Sequence, residues 1–459
     1  MTPHFSRWLY YAANKLGGRD VERELAALRQ SESLTAAQLV ELQWQRLQAV
    51  LHCAYEHAPF YRQRFAALGL VPADIKTPAD MGKIPITEKG DLRAHYPTLI
   101  NPTYRERVYQ YGSSGSTGEP VLLRQATTAL TAYSAAKLRG HTWHGLQAGT
   151  PEGKIWGIPL TGQARLTVPL RNCALNRVQL SAFHATERSM LRGFARMQRR
   201  GVQYLYGYSS SIYDFSRLLA AAGVDPGALS PRVIITTSDM LLEDQKNFLE
   251  SYWGCPAVKE YGAGETGIIA FECEQRNLHI TQENVFIEVV DGDGTLLSGT
   301  SRGEVIVTPL RNLAMPLLRY RLHDVAELAD GACSCGRHLQ LLANIHGRDS
   351  DIIYTPDGRH LHSEVFNHIN RRLMDQGQEI RYFQLVQHSL DSFQLLVVPG
   401  DRGQTNLFAQ GICELLGDVE CKVEVVAAIP PTASGKIRYV VSHLSADERS
   451  SQWSATNNR

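Results

Sequence analysis

Apolar residues recur along this chain in two rhythms. Between 19 and 70 they fall mostly every third or fourth position among charges: Val21, Leu25 and Leu28, then Leu39, Leu42, Leu47 and Leu51. That is the spacing of helix faces. The apolar patch in the first thirteen residues lacks a signal-peptide core and predicts one more helix, docked on the body. Residues 84–91 (Ile-Pro-Ile-Thr-Glu-Lys-Gly-Asp) predict a turn into a helix with Thr87 as its N-cap. From about 105 the rhythm changes. Strand-length apolar runs at 107–111, 154–159, 203–207, 232–237 and 257–261 alternate with helical stretches at 188–200, 209–222 and 242–252. Such alternation predicts an α/β domain whose ligands bind at the strand ends.

After 280 the texture changes again. Runs at 285–290 and 303–308, with a turn at 291–294 (Asp-Gly-Asp-Gly) between them, read as antiparallel strands. A boundary is expected at 347–351. Beyond it, strands at 383–387, 393–398 and 419–426 and a helix at 406–416 predict a small α+β domain. The expected division is 1–347 for a large, multi-layer N-terminal domain, 348–445 for a small mobile one, and 446–459 for a polar, disordered tail.

Composition narrows the function classes. The 459 residues are 43% hydrophobic and 20% charged, with a formal net charge of +1. That near balance gives no basic surface for nucleic acid. No apolar run is long enough to span a membrane. The eight cysteines are scattered over a long chain, which predicts a reduced, cytoplasmic protein rather than a disulfide framework.

Four stretches carry candidate chemistry. The first, 111–120 (Tyr-Gly-Ser-Ser-Gly-Ser-Thr-Gly-Glu-Pro), interleaves glycines with small hydroxyl residues. Its backbone amides and hydroxyls can turn toward an anion, although the order is not that of a Walker loop. The second is 261–265 (Tyr-Gly-Ala-Gly-Glu). The third is 320–324 (Tyr-Arg-Leu-His-Asp), with Gly347 and Arg348 after it. The fourth is 431–436 (Pro-Thr-Ala-Ser-Gly-Lys), near the end of the small domain.

In this order and at these distances, the four stretches resemble the adenylate-forming superfamily. Within it the likeness is to the phenylacetate–CoA ligase branch, including relatives linked to capsular polysaccharide synthesis. Residues 271–273 (Phe-Glu-Cys), 278–280 (Leu-His-Ile), 315–321 (Met-Pro-Leu-Leu-Arg-Tyr-Arg) and 333–337 (Cys-Ser-Cys-Gly-Arg) add to it. The resemblance covers about 40 to 442. It implies ATP-dependent activation of a carboxylic acid as an acyl-adenylate, then acyl transfer to coenzyme A. Ser113, Ser114, Gly115, Ser116, Thr117 and Gly118 would cradle phosphates. Glu265 would help hold Mg2+. Tyr261 and Gly262, with Ser238 and Asp239, would line the adenine. Asp324 would receive the ribose hydroxyls, and Arg348 would approach ribose or phosphates. Lys436 would reach the reacting carboxylate and α-phosphate. The small domain would then rotate about 347–351 to complete the thioester-forming site. The carboxylate pocket is expected around 156–161, 206–213 and 238–241.

Several positions depart from the pattern. Gly264 stands where relatives place Thr or Ser, with Thr266 following the glutamate. Leu322 and His323 stand where Thr and Gly are frequent. Glu119 replaces a lysine, and Ser350 replaces Asp or Lys at the pivot. These leave room for a different acceptor, such as an amine, a sugar or a carrier-protein thiol. They also leave room for an inactive scaffold. Finally, Cys273, His279, Cys333 and Cys335 could close a structural Zn2+ site of three thiolates and one imidazole. The other reading is a buried Cys273, a surface pair at 333 and 335, and a core His279. The expected partners are thus a small carboxylate and an acyl acceptor, with ATP, Mg2+, coenzyme A and Zn2+ as cofactors.

Overall fold

The computed structural model describes residues 2–113, 121–156, 168, 171–181, 187–297, 299–348, 352–356, 360–362, 366, 369, 380–400, 405–430, 438–445 and 448. The chain begins with four helices: α1 (Pro3–Leu16), α2 (Val21–Ser31), α3 (Ala36–His57) and α4 (Pro59–Ala67). A capping box fixes the start of α3, where Thr35 and Gln38 satisfy each other's backbone amides. The periodic residues Val21, Leu25, Leu28, Leu39, Leu47 and Leu51 are all buried, as their spacing predicts.

Two short helices follow, α5 (Lys89–Ala94) and α6 (Tyr96–Leu99). The expected cap of α5 is corrected. Glu88, not Thr87, precedes the helix. Thr87 lies buried one residue earlier, bridged to Tyr320, with its hydroxyl donating to the Leu318 carbonyl at 2.7 Å. A long-range backbone pairing has claimed a residue that local sequence reads as a cap.

The strands β1 (Val108–Ser113) and β2 (Val121–Ala126) form their own antiparallel hairpin, and α7 (Thr127–Trp143) leads away from it. The main sheet then assembles from β3 (Glu152–Trp156), β4 (Arg177–Ser181), α8 (Glu187–Arg200), β5 (Tyr204–Tyr208), α9 (Ser209–Ala221), β6 (Val233–Thr237), α10 (Glu243–Trp253) and β7 (Ala257–Ala263). Strands β4, β3, β5, β6 and β7 are parallel neighbours in that order. Helices α8, α9 and α10 cover one face through Ile155, Leu205, Phe215, Ile234 and Trp253. The segment ending α7 covers the other through Trp143, Leu146, Tyr204, Tyr206, Ile235 and Val258.

The sheet continues antiparallel through β8 (Gly267–Glu272), β9 (Leu278–Ile280), β10 (Val285–Val290), β11 (Arg302–Pro309), β12 (Tyr320–Ala329) and β13 (Leu341–Arg348). Among the described residues it is eleven strands wide, in the order β10-β11-β12-β13-β9-β8-β7-β6-β5-β3-β4. The short strands β14 (Ile352–Tyr354) and β15 (His360–His362) pair with each other. Next come β16 (Ile380–Gln387), β17 (Ser392–Pro399), α11 (Thr405–Leu416), β18 (Glu420–Val425) and β19 (Val440–Ser442). They form a four-stranded sheet with a core of its own around Phe383, Leu395, Phe408 and Ile412. The molecule is thus α/β with a separate small α+β unit, as expected. The pivot residues 349–351 and most of the tail lie outside the described residues. Among those described, no helix is long and apolar enough to cross a membrane.

Candidate active site

Tyr111 of the first motif meets the second and third motifs where β7 leaves the parallel part of the sheet. Residues 264–266 form the turn of the β7–β8 hairpin, so Glu265 heads no helix and caps none. A Cβ on Gly262 would lie 2.5 Å from the Gly267 carbonyl oxygen, which restricts that position to glycine. The hairpin turn is held from the side by the β1–β2 pair. The Tyr111 hydroxyl donates to the Gly264 carbonyl, and the Gln125 amide donates to the same oxygen at 3.0 Å. Burial raises the Tyr111 phenol well above its ordinary range, so it remains a donor.

The third motif closes on the second. Tyr261 donates to the Asp324 carboxylate at 2.7 Å, and the Tyr320 hydroxyl approaches Glu265 at 3.5 Å. Asp324 in β12 is the register partner of Arg348 in β13. The residues Tyr261, Gly262, Glu265, Asp324 and Arg348, separated by up to 87 positions, therefore gather along neighbouring strand ends. Glu265 is half-buried, and among the described residues that long contact is its one side-chain hydrogen bond, which leaves the carboxylate able to take a hard cation. Thr266 is fully buried and its hydroxyl turns to the Gly267 carbonyl, so it does not replace the hydroxyl missing at Gly264.

Ser238 and Asp239 follow β6. Ser238 holds a left-handed backbone, φ 75°. The Asp239 carboxylate accepts from the Ser209 amide at 2.5 Å, the Ser210 amide at 3.1 Å and the Ser210 hydroxyl at 2.6 Å. It thereby caps the N-terminus of α9, a structural use that the sequence reading missed. Ser113 ends β1, opposite Val121. Ser114, Gly115, Ser116, Thr117, Gly118 and Glu119 lie outside the described residues, as do Lys436 and Ser350.

Sequence reasoning also missed a polar cluster beneath the parallel strands. Glu152, Lys154, Tyr204, Tyr206 and Glu260 share the sheet face under α7, from which Lys137 and His141 join them. Arg177 of β4 binds Glu152 at 2.7 Å. Tyr206 donates to Glu260 at 2.8 Å. Burial, then the neighbouring Lys137, holds the Lys154 ammonium down at about 7. The available signal was the alternation in β3, which puts Lys154 on the same face as Trp156.

Cys273 just after β8, His279 on β9, and Cys333 and Cys335 in the β12–β13 connection come together. Their four ligand atoms all lie within 4.8 Å of one another. The Sγ atoms of Cys273 and Cys333 are 3.7 Å apart, and Cys335 Sγ is 3.3 Å from His279 Nε2. These are close to the edges of a tetrahedron with bonds of about 2.0–2.3 Å. The Gln275 amide points at Cys273 Sγ at 3.3 Å and the Asn277 side-chain amide at Cys333 Sγ at 3.2 Å, contacts that favour thiolates. Burial and the Arg337 guanidinium hold His279 down at about 4, neutral as a ligand must be.

Comparison with known proteins agrees with this architecture. Residues 353–443 match the family described as the CapK C-terminal domain. A phenylacetate–coenzyme A ligase of Aromatoleum evansii is 29% identical over 329 residues, which covers 70% of this chain and 72% of the relative. Protein CapK of Staphylococcus aureus is 21% identical over 417 residues, covering 88% and 90%. A solved 2-hydroxyisobutyryl-CoA ligase, in the postadenylation state with an acyl-AMP, superposes with a TM-score of 0.73 at 19% identity. That match covers 94% of each chain, and it speaks to the fold.

Proposed function

We propose that this chain, which belongs to the phenylacetate–CoA ligase-like branch of the adenylate-forming enzymes together with the CapK relatives, activates a carboxylic acid with ATP and passes the acyl group to coenzyme A. The carrying observation is the convergence of three motifs: Tyr111 on the Gly264 carbonyl, Tyr320 beside Glu265, and Tyr261 on Asp324.

In the first step an oxygen of the carboxylate attacks the α-phosphorus, and the bond to the β-phosphate breaks to release pyrophosphate. The protein's task is to hold two anions together and spread the developing charge. The hydroxyls and amides of 113–118 would take the phosphates. Asp324, oriented by Tyr261, would accept from the ribose hydroxyls, and the Tyr261 ring would lie against the base. Glu265 would hold Mg2+, which would offset charge on the phosphate oxygens. Lys436 would stabilise the transition state. In the second step a thiol sulfur attacks the acyl carbon, AMP leaves, and the thiol proton passes to solvent.

Two finer assignments belong to the same reading. The Cys273–His279–Cys333–Cys335 cluster would hold a structural Zn2+, since four protein ligands leave no open position. The acceptor could instead be an amine, a sugar or a carrier-protein thiol, as in polysaccharide decoration. The CapK-type C-terminal domain favours keeping that alternative, because this domain would face the acceptor. ATP–pyrophosphate exchange over a panel of aryl, fatty, hydroxy and amino acids tests the first step. Lys436→Ala is expected to reduce exchange by roughly 10²–10³-fold, the loss typical of one transition-state donor. Unchanged exchange in that variant would remove Lys436 from its role. Coenzyme A, amines or sugars added afterwards identify the acceptor by the AMP they release.

A further inference from the structure

The polar cluster under α7 lies on the sheet face that runs inward from the strand ends. Lys154 is the register partner of Tyr206, one pleat inward from Trp156 and Tyr208, whose rings lie 4.4 Å apart at the ends of β3 and β5. The Lys154 ammonium sits 4.4 Å from the Trp156 ring centre and 5.1 Å from that of Tyr206. Lys137, reaching down from α7, places its ammonium 3.4 Å from the same Tyr206 ring. Two cations therefore share one aromatic ring.

Each carboxylate nearby has a bonded partner other than the lysines. Glu152 is bound by Arg177 at 2.7 Å and Glu260 by the Tyr206 hydroxyl at 2.8 Å. Among the described residues, neither lysine forms an ion pair with a carboxylate. The cluster sets three basic side chains (Lys137, Lys154, Arg177) beside two carboxylates (Glu152, Glu260), and burial shifts His141 and both lysines toward their neutral forms. Three polar atoms of this cluster are buried without a hydrogen-bond partner among the described residues: Glu152 Oε1, Glu260 Oε2 and His141 Nε2. Glu260 and His141 are only 5% and 3% exposed. Two of these atoms, Glu260 Oε2 and His141 Nε2, lie 4.0 Å apart and face each other. Lys137 and Lys154 keep part of their side chains exposed, while burial among the cluster is the main influence on both ammonium groups.

We propose that Lys154 and Lys137 receive a second acidic group on the substrate, at the end distant from the carboxyl that is activated. The inference rests on the adenylation reading above and names the substrate class for that site. Ligands of open parallel sheets bind at the carboxyl ends of the strands, where the reacting carboxyl would lie. One pleat pair inward is about 7 Å, so a tail of roughly four to six atoms reaches from the strand ends to the lysines. The Trp156 and Tyr208 rings, packed on each other at the strand ends, offer an apolar surface that suits a flat or aliphatic tail. An apolar acid of the same length would bring no anion to the two ammonium groups, which then keep only their ring contacts. The substrate class is therefore a medium-length diacid, or an aryl acid with a distal carboxylate, and not a plain aryl or fatty acid.

Pyrophosphate exchange with matched pairs tests this: adipate against hexanoate, and 4-carboxyphenylacetate against phenylacetate. The wild-type protein is expected to prefer the diacid of a pair by tenfold or more in kcat/KM. Lys154→Met and, separately, Lys137→Met should each lower that ratio at least tenfold, while calorimetric ATP binding serves as the fold control. A purely structural network would move both acids of a pair together and leave the ratio intact. Preference for the apolar acids in the wild type overturns the inference and leaves adenylation standing. An unaltered ratio in both variants likewise overturns it. No exchange with any acid, together with no ATP binding, overturns the adenylation reading and this inference with it.

Discussion

His323 has a left-handed backbone, φ 62°, immediately before Asp324. The ring is half-exposed, and its Nε2 lies 3.8 Å from Glu88. A Cβ in that conformation meets the following carbonyl and costs about 1 kcal/mol. A left-handed φ of this kind favours glycine. His323→Gly should remove the strain, offset in part by the freer unfolded chain. We expect a net gain of about 0.5–1 kcal/mol. Thermal unfolding reads it directly, and a lower midpoint would mean that the Glu88 contact outweighs the strain. Ser238 shows the same conformation at the end of β6, so both non-glycine strains at the site lie beside residues assigned to nucleotide binding. Neither could be found by pattern, because φ is imposed by the strands on each side.

At the scale of elements, the Cys/His cluster ties β8 and β9 to the β12–β13 connection. Strand β9 is only three residues long, yet it joins β8 to β13 in the middle of the sheet. So short a strand adds few backbone hydrogen bonds, and a metal beside it would supply the missing constraint. Metal analysis of the purified protein should give one zinc per chain. Cys335→Ser should lose it and lower the unfolding midpoint by roughly 5 °C or more. A metal-free wild type with the same midpoint as the variant would refute the staple. Sequence alone offered the four ligand types but no reason for them to meet, since the two pairs are about fifty residues apart and only the β9–β13 pairing joins them. The same limit applied to Thr87, where the backbone pairing with Tyr320 overrode a good local cap. Strands β8, β12 and β13 also escaped the pattern, because they carry charges and glycines where the sheet turns antiparallel.

The whole molecule divides its labour between two cores. The large unit packs around the eleven-stranded sheet, while the small unit has its own four-stranded sheet and apolar centre. A small cluster of Val325 with Tyr354 and Leu444, flanked by Leu390, joins them. Tyr382 also donates to Asp214 across the boundary; among the described residues so slight a shared core fits the proposal of a unit that changes orientation between two half-reactions. A chain ending at Arg348 should therefore fold and bind ATP by calorimetry. Its pyrophosphate exchange should fall at least about 100-fold, because Lys436 is gone. Exchange near the full-length rate would place the essential cation in the large unit instead.

The sequence by itself determined the helices of the first 70 residues, the strand–helix alternation from β5 to β7 and the four motifs in order. Each of these is written in local periodicity or in residue type at fixed spacing, which survives without knowledge of long-range contacts. Tertiary structure alone decided which strands neighbour one another, and so which distant side chains share a site. It brought Tyr261 to Asp324, committed Asp239 to capping α9, gathered four metal-type ligands, and set Lys137 and Lys154 over one tyrosine ring. The physical reason is that pairing register and helix placement depend on burying the whole sheet at once. No window of the chain contains that information.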